Sequence, residues 1–218
     1  AAGAAPVRVL ADTQPPENVC VGRDGTRFTL RTPGGVRHLH TPLVGRHQAM
    51  NTAVALAMLE AAGAPYAAAA RDAETMLSHV SIPGRFQQFG DIIVDVAHNP
   101  AGTAALCHTI ELLHLPRPLT VLLTVLRDKD WRGMMELLSQ HADRIVLTAP
   151  PSVPADRAWV LDEAAAFAHE RGWNVVVERD FDRALELVRE GAATTLITGS
   201  FHTVGDAMAR LPLCSPAA

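Results

Sequence analysis

The stretch Asp91-Ile92-Ile93-Val94-Asp95-Val96-Ala97-His98-Asn99-Pro100 decides the fold. Its first half is a short, uniformly apolar run, which suits a strand covered on both faces of a sheet. Its second half turns polar and ends on Asn-Pro. Asn99 is a good helix N-cap and Pro100 a natural first helical residue. A strand that runs straight into a helix opens a βα unit.

The same unit recurs downstream. Strands are expected at 92–96, 119–125, 144–148, 174–177 and 195–198, with helices at about 101–113, 131–140, 162–171, 181–190 and 204–210. This alternation predicts an α/β fold: a Rossmann-like, mostly parallel sheet with helices on both faces and right-handed crossovers.

Upstream the pattern changes. Ser81-Ile82-Pro83-Gly84 breaks it, and the expected boundary separates residues 1–82 from 83–218. Residues 47–63 read as an Ala/Leu-rich helix closed by Gly63, and 67–77 as a second helix. Before them, VRVLAD, NVCVG, RFTLRT and VRHLHTP read as strands of a small meander, turning at Arg23-Asp24-Gly25-Thr26 and Pro33-Gly34-Gly35. Strands this short do not make a stable domain alone, so the rest of their sheet is expected elsewhere.

Bulk properties exclude several classes. The 218 residues are 48% hydrophobic and 5% aromatic, so the core is aliphatic, and the net charge of -4 offers no footprint for nucleic acid and no polybasic membrane patch. No apolar run approaches the roughly 20 residues that span a bilayer. Cys20, Cys107 and Cys214 lack disulfide or zinc spacing. With no secretory signal pattern in AAGAAPVRVL, a cytoplasmic setting is expected. The chain begins without Met, so residue 1 is not taken as the natural start.

In open parallel sheets, ligands bind beyond the carboxyl ends of the strands. There Asp95 can accept hydrogen bonds from a ribose, and His98 can bond a phosphate or a reacting carboxylate. The helix start after Asn99 suits a phosphate. Arg127-Asp128-Lys129-Asp130 alternates charge, as a loop holding a zwitterionic amino acid would. Gly199-Ser200 opens another helix and suits a small anion. Each has an ordinary reading too: a helix cap, a solvated turn whose pairs contribute about 0–1 kcal/mol, a common connection. His47 and Asn51, four apart, read first as a plain polar helix face, and His108, His114, His141 and His169 lack metal-ligand spacing. The coincidence of the others at one sheet edge is what favours a site.

Taken in order, Gly45-Arg46-His47-Gln48-Ala49-Met50-Asn51, Pro83-Gly84-Arg85-Phe86-Gln87, Asp95-Val96-Ala97-His98-Asn99-Pro100, Asp128-Lys129-Asp130 and Gly199-Ser200-Phe201-His202-Thr203-Val204-Gly205 resemble the folylpolyglutamate synthases. Many of these are also dihydrofolate synthases, and they belong to the Mur ligase superfamily. The resemblance runs from Gly45 onward. It implies that residues 1–82 are the tail of a central ATPase domain and 83–218 the carboxyl-terminal glutamate-ligase domain. It implies an ATP-dependent amide ligase that activates folate or dihydropteroate as an acyl phosphate and joins it to L-glutamate. ATP and Mg2+ are the implied cofactors and a monomer the implied state.

The resemblance assigns Asn51 to the adenine, Arg85 to the ATP phosphates, Asp95 to the ribose and His98 to the transferred phosphate. Arg85 and His98 are the implied catalytic residues. Ser200, Asp128, Lys129 and Asp130 are assigned to glutamate. One departure is large: these residues contain no G-x-x-G-K-[ST] or similar loop, and the Mg2+ ligands and the carbamylated lysine of many relatives are expected outside them. The expectation is a fragment, inactive alone. Val96, where many relatives carry Gly, is a small departure. Two alternatives compete: a stand-alone nucleotide- or partner-binding module derived from such a ligase, and a sister ligase acting on peptidoglycan precursors or cyanophycin.

Overall fold

The structure is a computed structural model that describes residues 14–32 and 34–211. The chain divides into two compact units, Ala1–Ile82 and Pro83–Ala218.

The first unit has strands β1 (Glu17–Gly22), β2 (Gly25–Thr32) and β3 (Gly35–Thr41) in an antiparallel sheet of order β1-β2-β3. Gly22 pairs with Gly25 and Thr32 with Gly35, so both connections are two residues long. The expected strand VRVLAD lies outside the described residues. Helices α1 (Arg46–Ala61), α2 (Tyr66–Arg71) and α3 (Ala73–Ser78) follow. Phe28, Leu30 and Leu39 of the sheet pack with Ala49, Ala53, Leu56, Ala70, Ala73 and Leu77 of the helices. The short strands are therefore stabilised by helices that follow them in sequence. Gly63, at φ 72, ends α1 as expected.

The single helix expected over 67–77 is broken at Asp72, whose φ/ψ of -94/35 is not helical. The cause is long-range: Arg37 on β3 donates to the carbonyls of Ala70 (2.7 Å) and Arg71 (3.1 Å), satisfying acceptors that a continuing helix would use.

The second unit carries β4 (Gln87–Phe89), β5 (Ile92–Asp95), β6 (Leu119–Leu123), β7 (Arg144–Leu147), β8 (Val175–Val177) and β9 (Thr194–Thr198). Their order is β4-β5-β9-β6-β7-β8. All pairs are parallel except β4 with β5. The connecting helices are α4 (Pro100–Leu113), α5 (Trp131–Ser139), α6 (Leu161–His169), α7 (Phe181–Leu187) and α8 (Phe201–Arg210). On one face Ile92, Val94, Leu122, Val146 and Ile197 pack with Phe181, Ala184, Leu185 and Val188 of the α7 segment and Val204 and Ala207 of α8. The alternate residues Ile93, Val121, Leu123, Ile145 and Leu196 are buried as well, as a doubly covered sheet requires.

Two differences from the expected elements have local causes. Strand β4 has no signal in the sequence, since three residues between Arg85 and Gly90 carry no alternation; it exists as an edge partner of β5. Helix α8 starts at Phe201 rather than 204, because Ser200 caps it and Oγ accepts the Thr203 N–H at 3.0 Å.

Trp131, Trp159, Phe167 and Trp173 meet edge to face, with centroids 5.4–6.2 Å apart along the series. Arg132 lies 4.0 Å over Trp131, and Arg171 lies 3.5 Å over Phe167. Such pairs add about 0.5–1.5 kcal/mol each beyond area burial. This stack binds the start of α5 to α6 and to the segment leading into it.

Candidate active site

The order β5-β9-β6 puts three strand ends side by side at the carboxyl edge of the sheet. The first belongs to β5. Gly84 precedes it in a turn at φ 71, where an added Cβ would lie 2.8 Å from Val96 Cγ1 and 3.1 Å from Val204 Cγ1. Only glycine fits. The Val96 N–H donates to the Gly84 carbonyl at 2.9 Å, fixing the turn to the strand end. Phe86 then takes φ 46, a left-handed conformation that is costly for a bulky residue. It aims the Phe86 N–H at Asp95 Oδ2 (2.9 Å), while the Ala97 N–H reaches Oδ1 (2.8 Å).

Burial pushes the Asp95 carboxyl above its ordinary value. The two N–H groups and the charges of Arg85 and His98 pull it down without cancelling that cost. Thr198 lies opposite Asp95 in register, and its buried hydroxyl has no partner among the described residues. His98 Nδ1 is 3.0 Å from the Val96 carbonyl. A carbonyl only accepts, so Nδ1 carries a proton and Nε2 is the ring nitrogen not used in that bond.

Asn99 caps α4 as expected: Oδ1 accepts the Gly102 N–H at 2.8 Å, and Pro100 stands first in the helix. The cap uses donors that the sequence suggested were free. Pro100 has none, Gly102 is taken, and Thr103 donates to the Asn99 carbonyl.

The second strand end is that of β9. Gly199 has φ 113, and a Cβ there would lie 2.0 Å from the Thr124 carbonyl oxygen. Ser200 is buried. Its hydroxyl lies 2.6 Å from that of Thr203, which in turn touches the Thr124 hydroxyl. Ser200 thus sits inside a chain of hydroxyls that joins β9, α8 and the end of β6.

The third is the segment after β6. Lys129 Nζ is 3.1 Å from Asp128 Oδ2, and an Arg157 guanidinium nitrogen is 3.4 Å from Oδ1. Lys129, then Arg157, hold the exposed Asp128 carboxyl below its ordinary value. Asp130 is the N-cap of α5, accepting from the Gly133 N–H at 3.0 Å. Lys129 is the only lysine in the chain. Asn51 stands on α1 in the first unit, exposed, and donates to Gln48 Oε1 at 3.0 Å.

The sequence reading gave no role to Arg157, Ser152, His202 or Phe201. The Arg127 N–H donates to the Arg157 carbonyl at 2.9 Å, and Leu126 bridges Ala158. Ser152 Oγ lies 2.9 Å from His202 Nδ1, and its N–H donates to Asp206 at 2.9 Å. These bonds lace together the segments after β6, β7 and β9. Residues 149–158 hold several prolines and no motif, so only geometry reveals them.

A half-buried carboxylate with an arginine and a histidine near it shares the carboxyl edge of the sheet with a loop bearing both charges. The Mur ligase, glutamate ligase domain matches residues 84–201, and the chain belongs to that family. Its relatives include folate enzymes and also the UDP-N-acetylmuramoyl-L-alanyl-D-glutamate–2,6-diaminopimelate ligase of Vibrio vulnificus, 30% identical over 179 residues, covering 77% of this chain and 35% of the relative. The dihydrofolate synthase/folylpolyglutamate synthase of Mycobacterium tuberculosis is 33% identical over 205 residues, covering 84% of this chain and 42% of the relative. A structure of folylpolyglutamate synthase from that organism, complexed with ADP and AMPPCP, aligns at TM-score 0.76 and 29% identity over 88% of this chain and 46% of that one. FolC of E. coli in complex with DHPP and ADP aligns at TM-score 0.69 and 29% identity, over 88% of this chain and 44% of that one. The chain thus spans less than half the length of these relatives. No helix among the described residues is long and apolar enough to cross a membrane.

Proposed function

We propose that this chain supplies the carboxyl-terminal part of an ATP-dependent ligase that joins L-glutamate to folate or dihydropteroate through an acyl phosphate. The observation that carries the reading is the turn at Gly84–Phe86. One backbone bend there places Arg85 and also supplies an N–H to Asp95.

In this reading Arg85 and His98 face the ATP phosphates, and the guanidinium offsets charge that builds up as the phosphoryl group moves. Asp95 accepts from the ribose hydroxyls. Asn51, on the first unit, is assigned to the adenine by the resemblance alone. Lys129 and Asp128 meet the carboxylate and ammonium of glutamate, while Ser200 and Asp130 hold the loop and helix ends that frame it. The amine of glutamate attacks the acyl carbon, the carbon–nitrogen bond forms, and the bond to phosphate breaks. Mg2+ would arrive with the nucleotide. Among the described residues no group of three or more His, Cys, Asp or Glu is arranged to hold a metal, so none is assigned to it. The lone lysine stands in the amino-acid loop, so turnover needs a phosphate-binding loop from outside these residues. The working protein is proposed as a cytoplasmic monomer that engages neither nucleic acid nor membrane.

The test is calorimetric titration of the 218-residue chain with ATP, then a substrate panel. Weak ATP binding, abolished by Asp95→Ala, is expected, with no ADP formed from dihydropteroate and glutamate. Failure to bind ATP overturns the nucleotide assignment. For the enzyme carrying the phosphate-binding part, glutamate addition to a muramyl precursor and none to folates overturns the folate assignment.

A further inference from the structure

Phe201 is an anomaly at this edge. It is a large aromatic side chain, 59% exposed, at the first position of α8, directly after the buried Ser200. Leaving that ring wet costs solvation and gains no packing. Two groups lie against it. The Arg85 guanidinium carbon is 5.8 Å from the ring centroid, within cation–π range. The His98 ring centroid is also 5.8 Å away, tilted by 40°. Arg85 makes no ion pair with a carboxylate among the described residues, so the ring is the contact that fixes where its charge sits. The ring's own position is set from below. Gly199 turns the chain, Ser200 caps the helix, and Ser152 holds the neighbouring His202 at 2.9 Å.

We propose that Phe201 is a positioning residue: its π face holds the Arg85 guanidinium, and the same ring packs against the tilted His98 ring, where both meet the phosphates of the nucleotide. The inference rests on the assignment of Arg85 and His98 to those phosphates and adds to it the group that orders them. An arginine spends considerable side-chain entropy when it binds an anion. A ring that already limits its rotamers removes part of that cost before the nucleotide arrives. The ring leaves the in-plane N–H groups of the guanidinium free to donate, which a carboxylate partner would not.

The test uses the whole chain, with ATP and adenosine as probes in calorimetry. Exposed cation–π contacts are worth about 0.5–1 kcal/mol, so Phe201→Ala should weaken ATP binding by about two- to five-fold. Phe201→Leu, which keeps apolar bulk and loses the π face, should weaken it as much, and Phe201→Trp should preserve it. Adenosine affinity should not change in any variant. In an Arg85→Ala background, Phe201→Leu should cost less than in the wild type, since the ring then has only His98 to order. The ring is exposed, so all variants should melt with the wild type. Wild-type affinity in Phe201→Leu overturns the proposal, because packing alone would then suffice. Fully additive losses in the Arg85 and Phe201 pair overturn it too. If the wild-type chain binds no ATP, the nucleotide assignment falls and the positioning role falls with it; binding with an additive pair removes the positioning role alone.

Discussion

The two units solve the same problem to different degrees. The second covers both faces of its sheet: α7 and α8 seal one, and the alternate residues of the other are buried as well. The first covers its sheet with α1–α3 and then leaves apolar side chains of those helices facing outward. Val54, Met58, Tyr66 and Met76 are all exposed. Helix α1 carries apolar residues such as Val54 and Met58 on its outward side as well as Ala49, Ala53 and Leu56 on its buried side. The contrast is one of degree, since the larger second unit also exposes Leu112, Val160, Val176 and Phe201. The candidate residues other than Asn51 stand on the second unit.

The largest expected effect tests that closure directly. Gly199→Val puts side-chain atoms where β9 passes β6, at a φ that valine rarely adopts. The second unit should fail to fold, seen as lost protection of β5, β6 and β9 amides in hydrogen exchange, while the β1–β3 amides keep theirs. A second unit that stays protected would mean the sheet can part at its centre. Next comes thiol chemistry. Cys20 in the first unit is exposed, whereas burial pushes the Cys107 thiol up to about 12. Since the thiolate is the nucleophile, Cys107 should alkylate on the order of 1,000-fold more slowly than Cys20 in the native chain at mildly alkaline pH. Comparable rates would show that α4 opens readily.

Smaller effects sharpen the contrast. Leu122→Ala, in the closed core, should cost about 2–5 kcal/mol in denaturant titration. Met58→Ser, on the outward face of α1, should stay within about 0.5 kcal/mol and improve solubility. Equal costs would show that the outward face is not free. The last effect is a slope. The Asp95 pKa is raised on folding, so the folded state holds that proton more tightly than the unfolded state. The associated stability is complete below the ordinary carboxyl value of 3.8 and is lost as pH rises through the folded value. Asp95→Asn should remove that fall in a stability–pH series, and an unchanged slope would assign it to another group.

The parallel sheet was legible because uniformly apolar runs followed by cap residues carry both strand identity and direction. Asn99 was legible as a cap for the same reason, whereas Asp130, read only as part of a charged loop, caps α5. What escaped the sequence depends on distant parts of the chain. Arg37 ends α2 from a strand more than thirty residues earlier, and Arg157 reaches Asp128 across a proline-rich segment. Neither has a periodic signal. Ser200 was visible as a residue, but its burial follows from how close β9 runs to Thr124, which no local pattern encodes.

The aromatic stack around Phe167 has an optical consequence. Trp131, Trp159 and Trp173 are all the tryptophans of the chain, and all belong to the second unit; Tyr66, the only tyrosine, belongs to the first. Indole emission therefore reports one unit and is blind to the other, with no label introduced. Trp131 directly follows Asp130, so the same emission watches the loop proposed to receive the amino acid. The chain carries its own two-channel spectrometer, one chromophore type for each half.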